Sequence, residues 1–172
     1  MKQVKLTPQE SSKNLGAVIQ LGHASLPIHG YYDFSMKVPT EVLDTLRNPQ
    51  QLYLVNLDGG YVGGKYEKGC VVASVREFGR FALRRDASKP NATFVQCSWN
   101  KAQLSVTDTG SGIKQFKVWI DDKFVPFDMD NRGRYFGYPK HFGIQRGKQH
   151  QVRIWLIDRC GNENIIETTK FF

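Results

Sequence analysis

The feature that most constrains this sequence is the regular return of turn signals between short stretches of alternating apolar residues. In the second half of the chain, turn sequences rich in Gly, Asn and Asp recur roughly every 8–12 residues. Between them, alternation is clear at residues 116–120 and 152–156, where every second apolar side chain shares one face. This spacing predicts an antiparallel β-sandwich of about seven strands, as in immunoglobulin-like domains.

A polar junction divides the chain into two predicted domains. Residues 85–91 combine charged side chains with Pro90, a combination that a strand interior does not hold. We predict an N-terminal β-sandwich at residues 1–88, with residues 1–14 as a lead-in, and a C-terminal immunoglobulin-like sandwich at residues 89–172. The predicted fold class is therefore all-β, with two tandem immunoglobulin-like or fibronectin-like antiparallel sandwiches.

The charge and hydropathy patterns argue against a nucleic-acid partner and against a membrane span. The net charge is +8, but twelve basic and eight acidic residues lie on each side of Pro90, and the longest basic run is the pair Arg84-Arg85. A nucleic-acid-binding protein gathers its basic residues into a stripe or an arm, so no nucleic-acid partner is expected. No apolar run approaches the ~20 residues that a membrane span needs. Residues 1–22 also lack the apolar core of a signal peptide.

The three cysteines, Cys70, Cys97 and Cys160, indicate neither a disulfide framework nor a metal site. An odd number excludes complete pairing, and no C-x-x-C spacing occurs. Three buried or half-buried thiols are the favoured interpretation, and whether Cys97 pairs with Cys160 stays open. No cofactor is expected.

Two groups of polar residues are candidates for metal binding or catalysis. His29 and Asp33 have a spacing found in zinc ligand pairs, but a catalytic zinc needs a third protein ligand, and we assign no metal and no catalytic residue. A Cys–His pair formed by tertiary proximity stays open. Asp108 and Asp158 each precede a glycine-containing turn, and we expect them to cap turns at opposite sheet corners. A cation shared by these two carboxylates is a further hypothesis.

Two groups of tyrosines are the candidate ligand-facing residues. Tyr31 and Tyr32 form one group, and Tyr135 and Tyr138 belong to another. Because alternate side chains of a strand point to opposite faces, half of each group must face away from the core. These rings can line a groove for a glycan or a peptide, although core packing is the favoured alternative.

Four segments of the chain together resemble a known protein region. They are VREFGRFALRRD at residues 75–86, DTGSGI at residues 108–113, RGKQH at residues 146–150 and DRCGN at residues 158–162. In this order and spacing they resemble the non-catalytic C-terminal region of lysostaphin-type (LytM-type) zinc metallopeptidases, which are peptidoglycan hydrolases, from Bacteroidetes-group bacteria. The resemblance covers most of the chain, from about Leu26 to the end.

Each of these segments also has a physical interpretation. Gly79 lies between Phe78 and Phe81 in the sequence F-G-R-F, and we predict a bulge or a close approach there, in the last strand of the first domain. The S-G-I sequence at residues 111–113 forms a turn before a strand. The G-N pair at residues 161–162 forms the tight turn before the final strand.

The resemblance implies a secreted or periplasmic, wall-associated protein whose parent carries a peptidoglycan-cleaving zinc domain upstream. That domain binds zinc through an H-x-x-x-D pair and an H-x-H pair. Neither is carried over, because His29 and Asp33 lie in the segment that aligns with the accessory region. The chain is then a fragment of such a peptidase or a stand-alone relative, with no catalytic residue of its own.

We therefore expect a non-catalytic accessory or binding module of a cell-envelope protein, periplasmic or at the cell surface. Its expected partners are peptidoglycan, another glycan or an envelope protein, and we expect a monomer. One alternative is a stand-alone cell-surface adhesion or glycan-binding protein. Another is a hydrolase with a site between the domains, using His29, Asp33 or a Cys–His pair.

Overall fold

The protein is almost entirely β. A computed structural model describes residues 4–7 and 11–172, with side chains from residue 11 onward. The structure is 51% strand and 7% helix, and its described residues form four antiparallel sheets with no barrel, which confirms the all-β sandwich prediction. The chain divides into two compact units, Met1–Ala87 and Ser88–Phe172. Among the described residues, no helix has the length and apolar character needed to cross a bilayer.

The N-terminal unit contains two antiparallel sheets. Its strands are β1 (Val4–Thr7), β2 (Val18–Leu21), β3 (Tyr32–Lys37), β4 (Leu52–Asn56), β5 (Gly60–Gly63), β6 (Lys65–Glu67), β7 (Cys70–Val75) and β8 (Gly79–Arg85). One sheet has the order β1-β2-β8-β4-β5 and the other the order β3-β7-β6. A single helical turn, α1 (Thr40–Leu43), and a 3₁₀ turn at Pro49–Gln51 connect β3 to β4. Phe34, Leu54 and Phe81 are among the buried residues of the core that the unit forms.

The first 14 residues differ from the predicted lead-in. Residues 4–7 form β1, which pairs antiparallel with β2, and Asn14 forms an isolated bridge with Arg84. Residues 1–3 and 8–10 of the predicted lead-in lie outside the described residues. A four-residue edge strand is held in place by hydrogen bonds to the neighbouring strand. Its own short sequence therefore gives little indication that it is a strand.

The C-terminal unit has the strand order of an immunoglobulin-like sandwich. Its strands are β9 (Asn91–Gln96), β10 (Ala102–Thr107), β11 (Ile113–Ile120), β12 (Lys123–Phe124), β13 (Phe127–Met129), β14 (Tyr135–Gly137), β15 (Gln149–Asp158) and β16 (Glu163–Phe171), with a 3₁₀ turn at Pro139–Phe142. The sheets have the orders β13-β14-β10-β9 and β12-β11-β15-β16. Named A to G in chain order, with β12 as C′, these are the DEBA and C′CFG sheets of that fold.

The alternation seen in the sequence decides which side chains form the core of this unit. On β11, Val118 and Ile120 are at most 1% exposed, and on β15 the same holds for Val152, Ile154 and Leu156. Ala102, Leu104 and Val125 from neighbouring elements belong to the same cluster. Because a strand has a period of two, burying these residues forces their neighbours onto the opposite, outer face of the sheet.

Candidate functional site

The outer face of the sheet β12-β11-β15-β16 carries an unusual concentration of aromatic and basic side chains. Both β11 and β15 place an indole on this face, since their alternate residues are buried in the core. We call this surface the cation–aromatic face, and its members are Lys117, Trp119, Phe124, Arg153 and Trp155. Lys117, Arg153 and Phe124 are exposed, whereas the two tryptophans are half-buried.

The register of β11 with β15 sets each indole opposite a cation. Trp119 pairs with Arg153, and Lys117 pairs with Trp155. The Arg153 guanidinium lies 4.9 Å from the centre of the Trp119 ring, and the Lys117 ammonium lies 5.8 Å from the centre of the Trp155 ring. At exposed sites, contacts of this kind contribute about 0.5–1 kcal/mol each. They hold both indoles in defined positions on the face.

The face continues across the sheet on both sides of these two pairs. On one side, the Phe124 ring meets Trp119 edge-on, with 6.1 Å between ring centres. On the other side, Trp155 pairs with Ile165 and Arg153 pairs with Glu167 on β16. Aromatic, apolar, basic and acidic groups are therefore interleaved over all four strands of one sheet.

A shallow groove of about 190 Å³ runs beside Trp119. Its lining includes Asp122, Gln151, Arg153 and Glu167. The groove thus offers one aromatic wall together with amide, guanidinium and carboxylate groups. These groups supply hydrogen-bond donors and acceptors close to a flat apolar surface.

The hairpin turn between β11 and β12 borders this groove and is fixed by buried His150. Asp121 and Asp122 both have left-handed backbone angles, with φ of 47° and 61°. The Asp121 carboxylate lies 2.6 Å from His150 Nδ1 and accepts a hydrogen bond from the Gln151 amide at 3.0 Å. The hydrogen bond with the His150 side chain is the main reason that the pKa of Asp121 lies below its ordinary value.

The tyrosines near the start of β3 have different surroundings. Tyr31 is 69% exposed. Tyr32 is half-buried, donates a hydrogen bond of 2.8 Å to the Glu77 carbonyl and lies 6.1 Å from the Phe78 ring. Burial, with the nearby Glu77 charge, raises the pKa of the Tyr32 hydroxyl. The Tyr31 ring is thus exposed at the surface, while the Tyr32 ring packs within the N-terminal unit.

The tyrosines of the C-terminal unit divide in the same way. Tyr135, on β14, packs edge-on against Phe116 with 4.8 Å between ring centres and lies against the core. Tyr138 is 40% exposed, and its ring centre lies 6.1 Å from that of His141. One residue of each predicted pair is therefore available to a ligand.

The residues considered for catalysis do not form a metal centre within the described part of the chain. His29 and Asp33 are both exposed, and neither belongs to a group of three metal-ligating side chains there. All three cysteines are thiols, so Cys97 and Cys160 form no disulfide. Burial raises the pKa of the Cys97 thiol, which opposes formation of the nucleophilic thiolate.

Asp108 and Asp158 lie at the same sheet corner, and the expectation of opposite corners was wrong. A carboxylate oxygen of one lies within 4.8 Å of a carboxylate oxygen of the other. Pairing of Ile113 with Asp158 brings the two turns together, a long-range contact that the sequence does not display. Asp108 Oδ2 accepts hydrogen bonds from the Gly110 and Gly112 amides, and Asp158 Oδ1 accepts one from the Asn162 amide. Both carboxylates therefore cap turns, as predicted.

The cation–aromatic face was not identified from the sequence, although the signal was present. Once Val118 and Ile120 are assigned to the core, Lys117 and Trp119 must point outward. The same reasoning applied to β15 places Trp155 outward. The sequence alone does not show that β11 and β15 are neighbours, and only their register sets the two indoles on one surface.

Comparison with known families gives a match in the N-terminal unit. The model of a Zu5-like domain matches residues 2–86, just under half of the chain. No curated protein matches the sequence. The C-terminal unit, which carries the cation–aromatic face, lies outside the matched residues. The N-terminal unit is thus similar to the Zu5-like domain family.

Proposed function

We propose that this chain is a non-catalytic binding module of a cell-envelope protein and that its cation–aromatic face recognises wall glycan. The observation that carries the proposal is the pair of outward indoles, Trp119 and Trp155, on adjacent strands of one sheet, each with a cation opposite it. Recognition of a surface, with no bond made or broken, is the proposed mode of action.

The chemistry of the face suits a sugar chain. An indole offers a flat apolar surface on which the apolar side of a sugar ring can lie, and its N–H can donate a hydrogen bond. Around Trp119, the groove adds Gln151, Arg153 and Glu167, which donate to or accept from hydroxyl groups. Lys117 and Arg153 add positive charge, and the net charge of +8 favours an anionic polymer such as the cell wall.

The surroundings of two reactive side chains support a non-catalytic role. Burial raises the pKa of the Cys97 thiol, so it is a weaker source of thiolate than an ordinary cysteine. His150 is 4% exposed, and its ring nitrogens lie 2.6 Å from the Asp121 carboxylate and 2.8 Å from the Gln145 carbonyl. Because both ring nitrogens of His150 already contact acceptor groups of the protein, this side chain stabilises the fold and is poorly placed to transfer a proton to a substrate.

The proposal places the protein in the periplasm or at the cell surface. Its support is the ordered set of segments between residues 75 and 162 that resembles the accessory region of lysostaphin-type metallopeptidases. In that setting the module holds a peptidoglycan-cleaving domain close to its substrate.

Binding to purified peptidoglycan tests the proposal directly. In a co-sedimentation assay with intact sacculi, the wild-type chain is expected to bind, and Trp155→Ala is expected to bind about tenfold more weakly, because a flat apolar surface is lost. Tyr138→Ala is the matched control, since it removes an exposed aromatic ring of the same unit from outside the face. Circular dichroism establishes that both variants fold.

Other outcomes of this assay would contradict the proposal. Equal binding by Trp155→Ala and the wild type would exclude the cation–aromatic face as the site. Loss of binding in Tyr138→Ala alone would move the site to the predicted tyrosines. Cleavage of the sacculi by a chain that contains stoichiometric zinc would favour the hydrolase alternative.

A further inference from the structure

Strand β16 forms a long and regular edge of its sheet. It spans nine residues, each paired with β15 in an unbroken register from Glu163–Ile157 to Phe171–Gln149. It contains no proline and no bulge, two of the devices that prevent an edge from pairing with another chain, and its charged side chains are Glu163, Glu167 and Lys170. In the described part of the chain, β16 is the last strand of the sheet, and no other strand pairs with its outer side.

The backbone groups that face this edge can be identified from the hydrogen bonds at the end of the strand. The Phe172 carbonyl accepts from the Gly147 amide at 2.6 Å, and the Phe172 amide donates to the Lys148 carbonyl at 3.2 Å. Even-numbered residues therefore bond toward β15, because the direction alternates along an antiparallel strand. The amides and carbonyls of the odd-numbered residues point to the outer edge. After Glu163 at the start of the strand, these residues are Ile165, Glu167, Thr169 and Phe171.

The side chains of these same four residues lie on the outer face of the sheet. Ile165 is 59% and Phe171 is 60% exposed, so the edge carries an apolar side chain near each end. Between them lie Glu167 and Thr169. A row of unpaired backbone groups with apolar side chains at both ends is a template for another strand.

We propose that the occupant of this edge is β16 of a second copy of the chain, paired antiparallel about Thr168. In this register Ile165 lies opposite Phe171 of the second copy, and Glu167 lies opposite Thr169 of the second copy. The two-fold axis repeats both pairs, and the two four-stranded sheets become one continuous sheet of eight strands.

The side chains favour this register over its neighbours. A two-fold axis at Glu167 would set two glutamates directly opposite each other, and like charges in that position are destabilising. An axis at Ile166 would set exposed Ile165 against Glu167. Only the axis at Thr168 pairs both exposed apolar side chains with each other and leaves no like charges opposed.

The same register satisfies the backbone of the edge. Each of the four outer pairs exchanges two hydrogen bonds, so every outward amide and carbonyl from Ile165 to Phe171 gains a partner. The interface consists of one strand pair and is smaller than a standard protein interface, so the dimer is weak. This proposal departs from the sequence-based expectation of a monomer and uses the strand edge, independently of glycan recognition.

Sedimentation analysis of the complete chain over a range of concentrations tests this dimer. The wild type is expected to shift from monomer to dimer as concentration rises, and Ile165→Glu is expected to weaken association about tenfold, because both symmetry-related apolar pairs are lost. The double variant Ile165→Glu/Phe171→Lys sets opposite charges in each pair and is expected to restore association. Val95→Glu, at an apolar residue that is 61% exposed on β9, is the matched control and should associate as the wild type does.

Three results would overturn the proposal. A wild-type chain that stays monomeric at the highest concentration excludes self-pairing. A dimer that Ile165→Glu leaves intact places the interface elsewhere. A folded double variant that associates no better than Ile165→Glu excludes the proposed register.

Discussion

Replacing Gly79 with alanine should destabilise the N-terminal unit more than the same replacement at an open turn glycine such as Gly60. Gly79 begins β8 and has a φ of 149°, in a region that side chains rarely occupy. A Cβ atom there would lie 2.5 Å from Asn56 Oδ1 and 2.8 Å from Asn56 Nδ2. The predicted close approach at Gly79 is therefore a contact with the side chain of Asn56.

Asn56 has little freedom to move away. It is 2% exposed, its Nδ2 donates to the Phe78 carbonyl at 3.3 Å, and its Oδ1 accepts from the Asp58 amide at 3.0 Å. The backbone strain of alanine at Gly79 costs roughly 1–3 kcal/mol. Overpacking against a fixed neighbour costs roughly another 1–3 kcal/mol. We expect a total loss of about 2–6 kcal/mol in the free energy of unfolding.

Gly60→Ala separates these two contributions. Gly60 also has a positive φ, 107°, but no atom lies within 4 Å of its Cβ position. It should therefore lose only the strain contribution, about 1–3 kcal/mol. Hydrogen exchange measured by mass spectrometry on peptides covering β4 and β8 reports the stability of this region alone. Equal protection losses in Gly60→Ala and Gly79→Ala would refute the contact with Asn56 as a source of instability.

Three further substitutions test other parts of the structure. Lys68 has a φ of 47° beside Gly69 in the β6–β7 hairpin, so Lys68→Asn should raise the free energy of unfolding by about 0.5–1 kcal/mol and with it the melting temperature, whereas Lys65→Asn on β6 should raise neither. Because the pKa of Asp121 is lowered in the folded state, its charge stabilises the protein above the ordinary aspartate pKa of about 3.9. The Asp121 side chain is 48% exposed, so water weakens this interaction, and Asp121→Asn should unfold more easily at pH 7 by less than about 1 kcal/mol. The difference should shrink in urea titrations as the pH falls below that value. Leu104→Ala, at a residue that is 1% exposed, should cost about 2–5 kcal/mol in urea unfolding, and a loss below 1 kcal/mol would contradict its place in the core.

The sequence was most informative where one strand face is buried. The alternation around Val118 and Ile154 required no knowledge of neighbours, because a strand half-covered by a core must repeat with a period of two. Turn residues were equally local, since Gly and Asp are selected by the backbone angles of single positions. From these signals alone the all-β fold and most strands could be predicted.

The position of each aromatic ring could not be predicted from such local signals. Tyr31 and Tyr32 are adjacent, yet one is exposed and the other donates a hydrogen bond to Glu77, 45 residues later. Asp108 and Asp158 were expected at opposite corners, and the strand pairing that brings them together spans a similar distance along the chain.

Local pattern thus determined which residues form strands, which of their faces are buried and where the chain turns, because those properties depend on a few consecutive residues. Tertiary structure alone decided which strands are neighbours and in what register. That register sets Trp119 against Arg153 and Trp155 against Lys117, and it leaves the edge of β16 without a partner strand in the described residues. Register depends on contacts between residues far apart in sequence, and no short segment contains that information.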